Sequence, residues 1–282
     1  VSGGGGAVEV AARGELRFGE ARKRGGAGGV CARALAAVPG GDVLVGTSEC
    51  DVVMLGGGGE RRVLVDGHTA DLYGVARSAA SAELFATACD SSRLKLWDAV
   101  ARRALCEVPV GAAARCVAFS ADGVWLAAGL VDGTAEVLRV GGGGAAVAAS
   151  RGTRLREGDR EVSALGFSPD GGTLAVGTAE GVVGLFDTAT WRRLARCTGH
   201  ATTVAHVDWS RDSSTVQTNC RGYEILYWEG RSGRQLLGAH RDWEAWEGWS
   251  CVLGWPVMGI WRDGYDGTDI NAVHASDDGR LL

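Results

Sequence analysis

The chain has 282 residues and a formal net charge of −5, from 29 Lys+Arg against 34 Asp+Glu. That balance argues against nucleic acid as a partner. No apolar run approaches the roughly 20 residues that a membrane-crossing helix needs, and the N-terminus lacks a charged-then-apolar leader pattern.

Residues 1–29 read as a Gly/Arg-rich partial strand or linker, with a basic cluster at Arg22-Lys23-Arg24. From residue 30 onward one grammar repeats. A strand ends in a Ser/Pro/Asp/Gly turn: ALAAVPGGD at 34–42, VAFSADG at 117–123, LGFSPDG at 165–171, VDWSRDS at 207–213 and AVHASDDG at 272–279. A short apolar strand follows, such as VLVGT at 43–47, LFATA at 84–88, WLAAG at 125–129 or LAVGT at 174–178. The third strand closes on an aromatic residue or Leu: VVML at 52–55, LKLWD at 94–98, AEVLR at 135–139, VGLFD at 183–187, ILYWE at 225–229. A polar fourth strand comes next, as in RRALCEV at 102–108 and RRLARC at 192–197. Turn residues of these types supply the φ values and side-chain-to-backbone bonds that tight hairpins require. Buried strands read apolar and a rim strand carries charge.

The anchors Leu55, Trp97, Leu138, Phe186 and Trp228 are 42, 41, 48 and 42 residues apart. A period of roughly 40–45 residues with Gly-His and Trp-Asp punctuation marks a WD-repeat β-propeller. The fold class expected is therefore all-β, with five near-complete blades, the start of a sixth, and one propeller domain over 30–282. The chain begins without Met and ends in mid-pattern at SDDGRLL. An unclosed ring leaves open sheet edges, so the reading expects a chain truncated at the C-terminus, with the rest of blade six and a seventh beyond Leu282.

The eight cysteines, Cys31, Cys50, Cys89, Cys106, Cys116, Cys197, Cys220 and Cys251, form no C-x-x-C pair. They read as reduced, buried, small hydrophobes of a cytosolic protein. The tracts Gly3–Gly6, Gly56–Gly59 and Gly141–Gly144 read as exposed connections, because no Lys-Ser/Thr follows them to make a phosphate loop. No G-x-S-x-G, kinase set or carboxylate cluster for catalysis is present, so no enzyme, cofactor or metal is expected. Asp263, Asp266 and Asp269 lie close in RDGYDGTD, but they miss the order of a calcium loop and read as turns.

Gly67-His68 precedes Trp97-Asp98, and Gly199-His200 precedes Trp228, by about the same spacing. Each His is expected in a buried network that locks a blade: His68 with Thr87, Asp90 and Trp97, and His200 with Thr218 and Trp228. Between Arg241 and Thr268 lies the one long insertion, which holds Trp243, Trp246, Trp249, Trp255 and Trp261, half of the ten tryptophans. One reading makes it a satellite core. The other makes Trp243 and Trp246 exposed anchors for a partner, with Arg241, Asp263, Tyr265, Asp266 and Asp269 as further contacts.

The segment WSCVLGWPVMGIWRDGYDGTDINAV at 249–273 resembles the C-terminal propeller of the echinoderm microtubule-associated protein-like family. VDWSRDSSTVQTNCRGYEILYWEGRSGRQL at 207–236 is similar to the preceding blade, and VLVGT at 43–47 and GHTADLYGVA at 67–76 look like earlier blades. The resemblance implies a non-enzymatic module of a cytosolic protein that binds tubulin and microtubules, on the cytoskeleton or in cilia. The alternative is a general scaffold in a ciliary, signalling or ubiquitin-ligase assembly, binding peptides at its central channel.

Overall fold

A computed structural model describes residues 31–38, 41–56, 60–141, 148–237, 245–261, 270 and 272–274. The chain divides into two compact units, Val1–Thr69 and Ala70–Leu282. The described residues are all-β apart from one 3₁₀ helix at Trp255–Ile260.

The first unit holds one antiparallel sheet of four strands in chain order: β1 (Ala32–Ala37), β2 (Val43–Thr47), β3 (Asp51–Leu55) and β4 (Arg61–Asp66). Val45 and Val53 face each other across it and are fully buried. β1 departs from the expected buried first strand, since all six of its residues are exposed. Among the described residues of this unit no second layer covers that strand.

The second unit holds four sheets, each an antiparallel meander. The first contains β5 (Leu72–Arg77), β6 (Leu84–Cys89), β7 (Arg93–Asp98) and β8 (Arg103–Pro109). The next contains β9 (Ala114–Phe119), β10 (Trp125–Leu130), β11 (Thr134–Gly141) and β12 (Ala148–Arg156). β13 (Val162–Phe167), β14 (Thr173–Thr178), β15 (Val182–Asp187) and β16 (Arg193–Thr198) form another. The last has three strands, β17 (Val204–Trp209), β18 (Thr215–Cys220) and β19 (Ile225–Glu229).

First strands pack on first strands: β5 on β9, β9 on β13, β13 on β17. The core lies in layers between successive sheets. Leu94, Leu96, Leu126 and Leu138 fill one layer, Val137, Val162, Leu174 and Phe186 the next, and Val183, Val207, Trp209 and Trp228 the third. Every residue of β14 and β18 is buried, whereas β16 is mostly exposed, so the outer strand carries the charge as its sequence requires.

The turn after each first strand follows from its residues. In the β9–β10 turn the Ser120 hydroxyl donates to Asp122 at 2.5 Å and accepts from the Trp125 amide at 2.9 Å, while Asp122 accepts from the Val124 amide. Ser168, Asp170, Gly172 and Thr173 repeat this arrangement, as do Ser210, Asp212, Ser214 and Thr215. The residue after each aspartate takes φ of +71°, +71° and +58°, a left-handed conformation. Glycine occupies it at 123 and 171 without strain, and Ser213 occupies it at a cost of about 1 kcal/mol. Ser213 in return accepts the Asp170 amide at 3.0 Å and so ties two neighbouring sheets.

Sheet-to-sheet polar links recur elsewhere. The Trp209 indole donates to the Gly166 carbonyl at 2.9 Å, and the Ser163 hydroxyl to the Val204 carbonyl at 2.6 Å. Glu157, fully buried after β12, receives Arg193 and Arg196 from β16 at 3.4 and 3.1 Å. Burial pushes its carboxyl up from the ordinary value, and the two guanidinium groups oppose that.

Candidate functional site

Three features of the last sheet converge on one region: a histidine–tryptophan network, the tryptophan-rich segment, and a cavity between them.

β18 is entirely buried, so its polar side chains must be paired. Thr218 sits 2.7 Å from His200 Nε2, and its Oγ1 accepts the Trp228 indole N–H at 2.9 Å. The His200 and Trp228 rings meet edge-on at 6.4 Å. Glu224, in the β18–β19 hairpin, lies 3.7 Å from His200 Nδ1 and accepts the Ala201 amide at 3.0 Å. Desolvation holds the His200 imidazole below its ordinary value, against the opposing pull of Glu224. Glu224 was not apparent from the sequence; its signal was an acidic residue in the hairpin that faces the Gly-His step.

In the first sheet of the second unit, the Trp97 indole donates to Thr87 Oγ1 at 2.7 Å and Trp97 stacks on Phe85 at 6.0 Å. The Asp90 carboxylate meets Arg115 of the next sheet at 3.4 Å. His68 belongs to the first unit and is half-buried.

The tryptophan-rich segment packs a small core against β19. Tyr227, Trp246, Trp249, Cys251 and Val257 are buried together, with Ile225, Leu236, Ile260 and Val273 around them. The buried carboxylate of Asp208 anchors it. One oxygen accepts the Ser250 amide and hydroxyl at 2.8 and 2.7 Å; the other accepts the Cys251 amide and Gln217 at 2.9 and 3.0 Å. Charge-assisted bonds of this kind are about twice as strong as neutral ones. Asp208 escaped the sequence reading because an Asp in VDWS looks like a strand's polar face.

Trp246 corrects the expectation of an exposed anchor: it is 2% exposed. Its backbone bridges to Ser210, and its ring lies 6.0 Å from Trp249 and 6.2 Å from Tyr227. That pairing turns the ring inward, whatever the charge of its sequence neighbours. Trp249 is buried and donates to the Cys251 carbonyl, and Trp261 is half-buried and donates to Val252. Arg241, Trp243, Asp263, Tyr265, Asp266 and Asp269 lie outside the described residues, as do most of the glycine tracts and Ser276. The cysteine expectation also needs correction. Cys89, Cys197, Cys220 and Cys251 are buried, but Cys31 and Cys50 are exposed.

A cavity of about 260 Å³ opens beside the segment, lined by Ser163, Thr203, His206, Asn219, Arg221 and Tyr223 among others. His206 and Asn219 pair at 3.0 Å on its wall. Tyr223 stands 57% exposed with φ +61° and meets Trp261 edge-on at 6.2 Å.

Meander sheets of four strands, layered on their first strands and punctuated by Ser–Asp turns and a His–Thr–Trp network, define a WD-repeat-like β-propeller module. The family described as "Echinoderm microtubule-associated protein second beta-propeller" matches residues 72–282, and the chain belongs to it. Echinoderm microtubule-associated protein-like 2 of Homo sapiens is 35% identical over 234 residues, which cover 78% of this chain and 34% of that protein. Echinoderm microtubule-associated protein-like 3 of Homo sapiens is 32% identical over 264 residues, covering 89% and 28%. Echinoderm microtubule-associated protein-like 1 of Homo sapiens is 30% identical over 246 residues, covering 85% and 29%. The chain thus spans about a third of the length of the curated relatives it matches. The family is a non-catalytic one, and this chain is a non-enzymatic propeller module.

Proposed function

We propose that the chain binds tubulin or microtubules directly and contributes to microtubule organisation in the cytoplasm. In this reading the sheets are blades of a propeller domain over 30–282, residues 1–29 are a Gly/Arg-rich partial strand or linker before it, and 241–268 is its inserted segment. Membership in a family named for microtubule association is the observation that carries the proposal. The clasped Trp segment supports it physically: loops held on a rigid core lose little entropy on docking.

The contact face proposed is the mouth of the cavity, with Tyr223 and Arg221. Arg241, Trp243, Asp263, Tyr265, Asp266 and Asp269 are proposed as further contacts. An exposed aromatic residue near an arginine suits an acidic protein surface. The test is co-pelleting with stabilised microtubules across a salt series, using the chain and its Tyr223→Ala and Trp243→Ala variants. Salt-sensitive pelleting that drops several-fold in both variants is expected. Pelleting unchanged by both substitutions removes the site from this face. Failure of the folded chain to pellet at low salt overturns tubulin binding and favours a scaffold for other proteins.

A further inference from the structure

His200, Cys220 and Glu224 bring one nitrogen, one sulfur and one carboxylate oxygen to within 4.8 Å of one another. They come from three places: the Gly-His step before β17, the last residue of β18, and the β18–β19 hairpin. The separation in sequence is why no metal-ligand spacing announces them.

The network around Thr218 fixes what these atoms face. Thr218 Oγ1 accepts the Trp228 indole and meets His200 Nε2, so the imidazole's second nitrogen alone remains. That nitrogen, Nδ1, is buried and has no hydrogen-bond partner, on a side chain with no solvent exposure. It points at Glu224 Oε2 across 3.7 Å, too far for a hydrogen bond. Cys220 Sγ lies 3.4 Å from the same oxygen and accepts the Gly222 amide at 3.3 Å. An orphaned buried nitrogen costs free energy unless something fills the gap.

We infer that His200 Nδ1, Cys220 Sγ and Glu224 Oε2 form a binding site for a single zinc-class divalent ion. Two ligands of one tetrahedral ion, at roughly 2.0–2.3 Å from it, stand about 3.3–3.6 Å apart, near the nitrogen–oxygen and sulfur–oxygen separations found here. The mixed nitrogen, thiolate and carboxylate set suits a borderline-soft ion rather than calcium or magnesium. Thr218 supplies the outer hydrogen bond that orients a metal-binding imidazole, with Nε2 carrying the proton. Glu224 is 43% exposed, so water completes the fourth position from that side. Binding converts the Cys220 thiol to a thiolate and releases its proton to solvent. The ion would tie the start of β17 to the end of β18 and the hairpin beyond it, next to the cavity and Tyr223.

The probe is Co²⁺, added to the chelator-treated chain in a Cys31→Ser/Cys50→Ser background that removes the two exposed thiols. One equivalent is expected to give a thiolate-to-cobalt absorption band with tetrahedral ligand-field bands, displaced by Zn²⁺. Cys220→Ser abolishes the charge-transfer band. Glu224→Gln, at a half-exposed side chain that folding tolerates, weakens Co²⁺ binding at least ~10-fold. Circular dichroism melts accompany each protein, and Glu224→Gln decides if Cys220→Ser does not fold. No band in the background protein, a band that survives Cys220→Ser, or unchanged affinity in Glu224→Gln each overturns the site.

Discussion

The sheet β13–β16 and the sheet β17–β19 begin alike and end differently. Both open with the Ser–x–Asp turn, and both bury their middle strand completely. In the first, the outer strand β16 covers the edge and holds Arg193 and Arg196 against buried Glu157. In the second, β19 has no full fourth strand among the described residues. Residues 234–236 give it the backbone bonds from Glu229 to Arg234 and from Leu236 to Tyr227 and the Arg234–Glu229 ion pair at 3.5 Å, and the Trp-rich core does the rest. A sheet edge can thus be protected by a charged strand or by a small apolar core on a carboxylate anchor. The second solution leaves loops beside it, and those loops carry the proposed contacts.

The comparison breaks most sharply at Asp208. Asp208→Ala strands the Ser250 and Cys251 amides and Gln217, and a loss of roughly 3 kcal/mol is expected in urea unfolding. Limited proteolysis should then cut the 245–261 segment before any residue of β13–β16. Thr218→Val comes next. It removes the common partner of His200 and Trp228 and should cost about 2 kcal/mol. Thr87→Val should cost less in the same measurement, because Trp97 is only half-buried where Trp228 is buried. Ser168→Ala removes one turn hydroxyl with two partners and should cost about 1 kcal/mol. Ser78→Ala should cost less still, since Ala80 stands where the other turns have aspartate.

The smallest effect is on acid stability. Burial raises the Asp170 carboxyl, but bonds from Ser168, Gly172 and Ser213 outweigh it and hold the group below the ordinary aspartate value. A depressed folded value stabilises the protein above the unfolded pKa, and that contribution disappears as pH falls through the folded one. Asp170→Asn should therefore lower the melting temperature near neutral pH and differ little from the parent at pH of about 2. A difference that persists unchanged at the lowest pH would assign the effect to packing.

Period and turn chemistry made the sheets legible. The spacing of the anchors and of Ser120, Ser168 and Ser210 located each strand, because a meander records its contacts between chain neighbours. The last sheet was less legible. Trp246 lies between charged residues, and its inward turn depends on a bridge to Ser210, 36 positions away. Asp208 and Glu224 act on partners that no local spacing reveals. Long-range polar contacts leave no periodic trace, so the sheets could be read from sequence while the region holding the candidate site could not.

The meander order carries a consequence for biosynthesis. Each sheet of the second unit is built from one unbroken stretch, and its hydrogen bonds join strands adjacent in the chain. As the chain leaves the ribosome, every stretch of roughly 40 residues therefore brings all the partners of one sheet's backbone pairing, and the next stretch supplies the first strand that packs on it.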